Sequence, residues 1–156
     1  MIGRREFGIA GLSAVALAAL EGSVFAQGKS AKSGDDHADH NEMLDACAKA
    51  CSDCQRACDS CATHCAHMLR DGKKNHATTL ATCQDCADFC ATAAQIVSRG
   101  GPFATLICES CAEACALCGK ACEQFPDDKH MKMCAEECRK CEKACREMVK
   151  HAAHAK

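Results

Sequence analysis

The feature that most constrains this chain is a cysteine repeat with helical spacing. Cys47, Cys51, Cys54, Cys58, Cys61 and Cys65 step by 4, 3, 4, 3 and 4 residues. Cys83, Cys86 and Cys90 step by 3 and 4, and Cys108, Cys111, Cys115, Cys118 and Cys122 by 3, 4, 3 and 4. Cys134, Cys138, Cys141 and Cys145 step by 4, 3 and 4, which completes the eighteen cysteines of the sequence. Residues three or four apart share one helix face, the seam that Leu and Ile ordinarily fill. The pattern therefore predicts four helices that turn their thiols into one shared core. Thiol ligands select soft metal ions, so that core has an evident use.

Short breaks separate the four runs. The first helix is expected from about Asn41 to Arg70, with Asp39 and Glu42 at the spacing of a capping box. Asp71-Gly72-Lys73-Lys74-Asn75 reads as a turn, and the second helix should run from about His76 to Arg99. Gly100-Gly101-Pro102 offers a left-handed C-cap and a proline for the first turn of the third helix, which should reach about Gln124. Phe125-Pro126-Asp127-Asp128 breaks the chain again. Asp127 is expected to cap a fourth helix ending near His151. Short loops make successive helices antiparallel. The expected fold is all-α: an up-down-up-down four-helix bundle over residues 40–152, with a tail at 153–156.

The first 26 residues read as an export signal. Arg4-Arg5-Glu6-Phe7 is a twin-arginine pattern, an Ala- and Leu-rich apolar stretch spans 8–20, and Val24-Phe25-Ala26 places cleavage after Ala26. The apolar stretch is short for an uncleaved anchor. The signal resembles those of the twin-arginine pathway, which exports proteins already folded, so the chain is expected outside the cytoplasm, in the periplasm. Folding before export would spare the thiols an oxidising compartment. Residues 27–39 lack apolar periodicity and read as a mobile linker. The formal net charge of −2, with no basic run, speaks against a nucleic-acid partner. Beyond the signal no stretch approaches a membrane span. No Ser/His/Asp or paired-carboxylate arrangement points to an enzyme.

The thiols must also make the core. Between residues 41 and 150 the branched aliphatics number nine: Leu44, Leu69, Leu80, Ile96, Val97, Leu106, Ile107, Leu117 and Val149. Cys and Ala are left to fill most of the interior, Cys acting as a small hydrophobe. Bound metal should then add folding free energy.

Four uses of the thiols compete. A disulfide scaffold suits an exported, even-numbered set. Yet Cβ atoms three or four apart on a helix are about 5–6 Å distant, and a disulfide needs about 3.8 Å. Bridges between helices would not require heptad spacing. Iron–sulfur, thioredoxin-like and c-haem chemistry lack their signatures: no C-x₂-C-x₂-C-x₃-C-P run, no βαβ context, no Cys-x-x-Cys-His. Zinc, or a general heavy-metal sponge for detoxification, is the stronger rival. Zinc wants four tetrahedral ligands per ion, and structural zinc sites sit in short knuckles rather than along bundle interiors. Cu(I) fits best: it is soft, and Cys and Met sulfur select it. Eight i,i+4 pairs are available to it: Cys47/Cys51, Cys54/Cys58, Cys61/Cys65, Cys86/Cys90, Cys111/Cys115, Cys118/Cys122, Cys134/Cys138 and Cys141/Cys145. Each Cu(I) that displaces one thiol proton leaves the core near neutral, which avoids buried net charge. Charge balance thus allows a capacity on the order of one copper per thiol.

These repeated Cys-x-x-x-Cys pairs on four helices resemble the copper storage proteins, and the twin-arginine pattern resembles their exported branch. The resemblance covers about residues 40–150. It implies storage of multiple Cu(I) ions per chain on the eighteen cysteines, assembly as a homotetramer, and supply of copper to copper-accepting proteins. It also implies Met and His ligands at an open bundle end, for which His40 and Met43 match by position. Met68, Met131 and Met148 continue the stripe and are read as core filler. His64 and His67 lie off it and are read as solvated.

Overall fold

The computed structural model describes residues 34–154, with side chains over 41–152. The expected signal lies outside the described residues. Four helices account for nearly all of the described chain: α1 (Gly34–Arg70), α2 (Ala77–Ser98), α3 (Ala104–Cys122) and α4 (Lys129–His154). A 3₁₀ turn, Lys74–His76, leads into α2. In the bundle α1 lies against α2 and α4, and α3 against the same two helices. This is the four-helix bundle that the cysteine runs predict.

The two glycine caps form by one physical route. Gly72 and Gly100 are the positive-φ residues of the described chain, at 84° and 57°. The N–H of Gly100 donates to Val97 O at 2.9 Å and that of Gly101 to Ile96 O at 3.1 Å. Gly72 and Lys73 donate to Leu69 O and Met68 O, both at 3.0 Å. These are paired Schellman bonds, which satisfy the last carbonyls of α2 and α1.

Three boundaries depart from expectation. Helix α1 starts at Gly34, so residues 34–39 of the expected linker are helical and Asp39 lies within the helix rather than capping it; residues 27–33 lie outside the described residues. Helix α3 starts at Ala104, after a turn at Pro102 and Phe103. The cap of α4 is Asp128, not Asp127: Asp128 Oδ1 accepts the N–H groups of His130 at 2.9 Å and Met131 at 3.3 Å. One residue of register decides which Asp can reach those donors.

The core is thiol and alanine. Of the nine branched aliphatics, Leu44 and Val97 are buried, while Leu106 and Leu117 lie on the surface. All eighteen cysteines are buried, together with Met131 and Met148. The charged residues make the wet face, as in the fork of Arg139 on α4, whose Nε and Nη2 donate to Glu123 Oε1 and Oε2 beyond the end of α3 at 2.8 and 2.9 Å. The diagonal helices α1 and α3 meet through sulfur: Cys47 to Cys108 and Cys54 to Cys115, both at 3.8 Å.

Candidate metal centre

Every cysteine run sits on the inner face of its helix, so the sulfurs form a column along the bundle axis. Toward the α1 N-terminal end, Cys47 Sγ lies 3.8 Å from Cys108 Sγ and 3.9 Å from Cys145 Sγ. Cys51 then meets Cys145 at 3.6 Å and Cys141 at 3.7 Å. At mid-bundle, Cys90 lies 3.7 Å from Cys111, 3.6 Å from Cys115 and 4.0 Å from Cys141. Further along, Cys118 meets Cys83 at 3.6 Å and Cys58 at 3.9 Å. Cys83 meets Cys122 and Cys58 meets Cys134, each at 3.9 Å. Two of the eight i,i+4 pairs also meet along one helix, Cys54/Cys58 at 3.9 Å and Cys86/Cys90 at 4.0 Å.

The sulfurs gather in fours. In the groups Cys51/Cys111/Cys141/Cys145, Cys54/Cys86/Cys90/Cys115 and Cys61/Cys83/Cys122/Cys134, all ligand atoms lie within 4.8 Å of one another. Neighbouring groups share members, as Cys54 does with Cys54/Cys58/Cys86/Cys138. Shared sulfurs suit an ion that accepts bridging thiolates and low coordination numbers. All eighteen cysteines are free thiols.

The electrostatics follow from crowding. Burial, and then the neighbouring Cys61, push the Cys65 thiol up to about 12. Cys141 moves the other way, because the thiols of Cys111, Cys115, Cys145 and Cys51 can all donate to its sulfur. Cys118 is held low by Cys122, Cys134, Cys138 and Cys58 in the same manner. One thiolate is thus welcome where several S–H donors surround it, but a second close by is not. A cation that neutralises each new thiolate removes that limit.

At the other end the column stops on a thioether. Met131, fully buried, places its Sδ 3.3 Å from Cys61 Sγ and 3.8 Å from Cys65 Sγ. Its full burial fits the expected core filler, and its step of three to Cys134 places it on the same stripe. His64 departs from its expected place on the solvated face. It is four-fifths buried, its Nε2 lies 2.7 Å from Asp128 Oδ2, and its ring stacks on His130 at 4.7 Å. His67 is exposed as expected. His76 is 3 % exposed and stacks on Phe125 at 4.2 Å, and its buried Nδ1 lacks a hydrogen-bond partner in the described structure. Burial lowers its pKa. Met43 is half-buried and packs on the core at the opposite end, near the end where α4 carries the buried Met148. His40 belongs to α1, and its side chain lies outside the described residues.

This arrangement defines a class of protein: a helical bundle whose interior is a reservoir of free thiols for soft metal ions. The chain belongs to the copper storage protein family, whose model matches residues 39–150. Solved structures agree. A Cu(I)-bound copper storage protein, BsCsp3, is 34 % identical, with 69 % of this chain and 98 % of that chain covered and a TM-score of 0.63. The apo copper storage protein 3 from Bacillus subtilis is 36 % identical over 67 % of this chain and 96 % of its own, with a TM-score of 0.59. A cytosolic copper storage protein from Streptomyces lividans, carrying five coppers, is 32 % identical over 72 % and 97 %, with a TM-score of 0.65. A comparison with curated proteins finds no match.

Proposed function

We propose that this chain stores multiple Cu(I) ions on its core cysteines and later yields them to copper-accepting proteins. The observation that carries the reading is the continuous column of eighteen buried free thiols, 3.6 to 4.0 Å apart where they touch. Relatives of the same fold hold Cu(I), in one case five coppers. All eighteen cysteines are the proposed ligands. Met43 and His40 are proposed at one end of the column, and Met131 at the other. The role is storage rather than catalysis.

The proposal extends to place and assembly. The twin-arginine pattern at Arg4-Arg5 supports export to the periplasm with cleavage after Ala26, although a relative is described as cytosolic. No helix of the described residues is long and apolar enough to cross a membrane. Family resemblance supports a homotetramer. Fractionation of cells carrying the full chain, with Arg4→Lys and Arg5→Lys together as comparison, tests export. Native mass spectrometry of the mature chain tests the tetramer.

The deciding experiment is an anaerobic Cu(I) titration of reduced protein against a chromophoric Cu(I) chelator, with Zn(II) in parallel. Uptake of many Cu(I) ions, approaching the thiol count before the chelator colours, is expected. Four-sulfur groups also suit tetrahedral zinc. Zn(II) retained against Cu(I) would therefore transfer the reading to zinc.

A further inference from the structure

The outer surface of the bundle is not uniform. Helix α4 carries eleven Lys, Arg, Asp and Glu side chains in 26 residues. Helix α2 carries two in 22, Asp85 and Asp88, and α3 carries three in 19, Glu109, Glu113 and Lys120. The large apolar side chains that reach solvent follow the opposite bias. Phe89 on α2, Phe103 just before α3, and Leu106 and Leu117 on α3 are 40, 63, 61 and 65 % exposed. Met133 is the exposed apolar residue of α4 and sits among charges. Single exposed apolar residues are ordinary, but a connected apolar face marks a surface that is covered in use.

Helical spacing joins the set into one face. Phe103, Leu106, Ser110, Ala114, Leu117 and Ala121 step by 3, 4, 4, 3 and 4, a second seam on α3 beside the cysteine seam. The charged stripe of Glu109, Glu113 and Lys120 turns toward α4, where Glu113 Oε1 accepts from Arg146 Nη2 at 3.0 Å. The apolar seam is therefore on the flank toward α2. On α2, Leu80 and Gln84 share a groove with Ala62 and Ala66 of α1, which leaves Phe89 on the flank toward α3. Phe89 adjoins Cys90, whose Sγ lies 3.7 and 3.6 Å from those of Cys111 and Cys115, so Phe89 stands level with the middle of the α3 seam.

The seam is close to a palindrome. Leu106 and Leu117 are equally far from a point between Cys111 and Ala112, and the small Ser110 and Ala114 stand near that point. A two-fold interface needs one patch that complements itself, which is what this register supplies. With α3 antiparallel to α3 of a second copy about that point, each Leu106 packs on the other Leu117. Phe103 comes opposite Lys120, whose stem can cover the ring, while Glu113 faces Ser110 and Glu109 faces Ala114. No like charges meet among these residues, so the pairing avoids the cost of juxtaposing them. Helix α3 is about 28 Å long and two adjacent helices are about 20 Å wide, which gives about 560 Å² of projected face. Ridges raise the accessible area above the projection, toward the roughly 800 Å² per partner of a stable interface.

We propose that the outer face of α2 and α3 is where two copies of the chain join, with α3 antiparallel to α3 about a two-fold axis at its middle and the two Phe89 rings meeting at the same level. The inference deepens the assembly proposed above and rests on it. The thiol column stays inside each bundle, so copper binding does not depend on this contact.

The test is sedimentation and native mass spectrometry of the reduced, mature apo protein, with circular dichroism as the check on folding. Leu106→Glu and Leu117→Glu together should cut the assembled mass by half or more while helicity is kept, whereas Met133→Glu on α4 should leave the mass unchanged. Full assembly persisting in the folded double variant would overturn the proposed face and leave the assembly reading standing. A monomeric wild-type protein would defeat the assembly reading, a separate outcome that removes the inference with it. Should the double variant lose helicity, a photoreactive benzoylphenylalanine at position 89 decides. Its cross-link should join two chains through a peptide from α2 or α3 of the second copy, and a link to α1 or α4 of that copy would overturn the inference.

Discussion

Met131 Sδ lies 3.3 Å from Cys61 Sγ, closer than any two cysteine sulfurs in contact along the column. The thioether accepts a hydrogen bond from a thiol but has no proton of its own to lose. At the last position of the column it therefore supplies a soft donor without adding negative charge. It also seals the core, since it is completely buried.

Met131→Leu separates those two jobs. The swap nearly conserves volume and should cost less than about 1.5 kcal/mol. Thermal melts of the apo protein should therefore shift little. Under chelator competition the variant should retain about one Cu(I) fewer, because a soft thioether donor is gone. Unchanged retention would make Met131 a packing residue alone.

Acid should loosen the apo bundle in two stages, both at the end where α1 meets α4. Burial works against the Asp128 carboxylate, but the hydrogen bond from His64 and the N–H groups of Met131 and His130 outweigh it and hold its pKa below 3.8. Its stabilisation is complete above that value and is lost as pH falls through the lower folded pKa. His76 is also lowered, from 6.5, first by burial and then by the nearby His64. Below about pH 6.5 the unfolded chain binds a proton that the folded chain resists, so stability begins to fall there. Melting temperatures of reduced apo protein between pH 8 and 3 should show both declines. Asp128→Asn should remove the lower one, and His76→Phe the upper. Because protons also compete with metal for thiolate, the copper-loaded protein is the wrong sample for this measurement.

The sequence makes the bundle legible because cysteine marks the buried stripe more sharply than Leu or Ile do. The positions of Cys47 to Cys145 alone give four helices and one core. The start of α1 escapes that logic. Residues 34–39 are polar and carry no apolar period, yet they continue the helix. His64 escapes it too: its partner Asp128 stands 64 residues away on a turn, so nothing local distinguishes it from the exposed His67. Helical spacing likewise shows which face holds the thiols, but not how four faces rotate against each other. The mutual contacts of Cys90, Cys111 and Cys141 draw on three helices and are invisible in any one run.

The left-handed caps give a test of the turns that is independent of copper. A Cβ on Gly100 would meet Leu44 Cδ1 at an ordinary 3.6 Å, so space is not the obstacle. The φ of 57° is. Gly100→Ala should cost about 1 kcal/mol and lower the apo melting temperature by a few degrees. Gly100→Asn should cost less, because Asn tolerates this region. Equal losses from both would mean that side-chain packing, rather than backbone strain, governs the α2–α3 turn.

Oxidation should distinguish the empty store from the full one. Cys51 and Cys145 lie 3.6 Å apart between α1 and α4, and Cys83 and Cys118 lie 3.6 Å apart between α2 and α3. Small side-chain rotations would bring either pair to the roughly 2.05 Å of a disulfide. Diamide, which accepts the two hydrogens released by each pair, should therefore oxidise apo protein between helices. Thiols counted after denaturation should fall from eighteen in steps of two, with Cu(I) capacity falling in proportion. Copper already bound engages the same sulfurs, and loaded protein stripped of metal after quenching should return nearly all of its thiols. Equal thiol loss with and without copper would mean that the ions do not occupy these sulfurs.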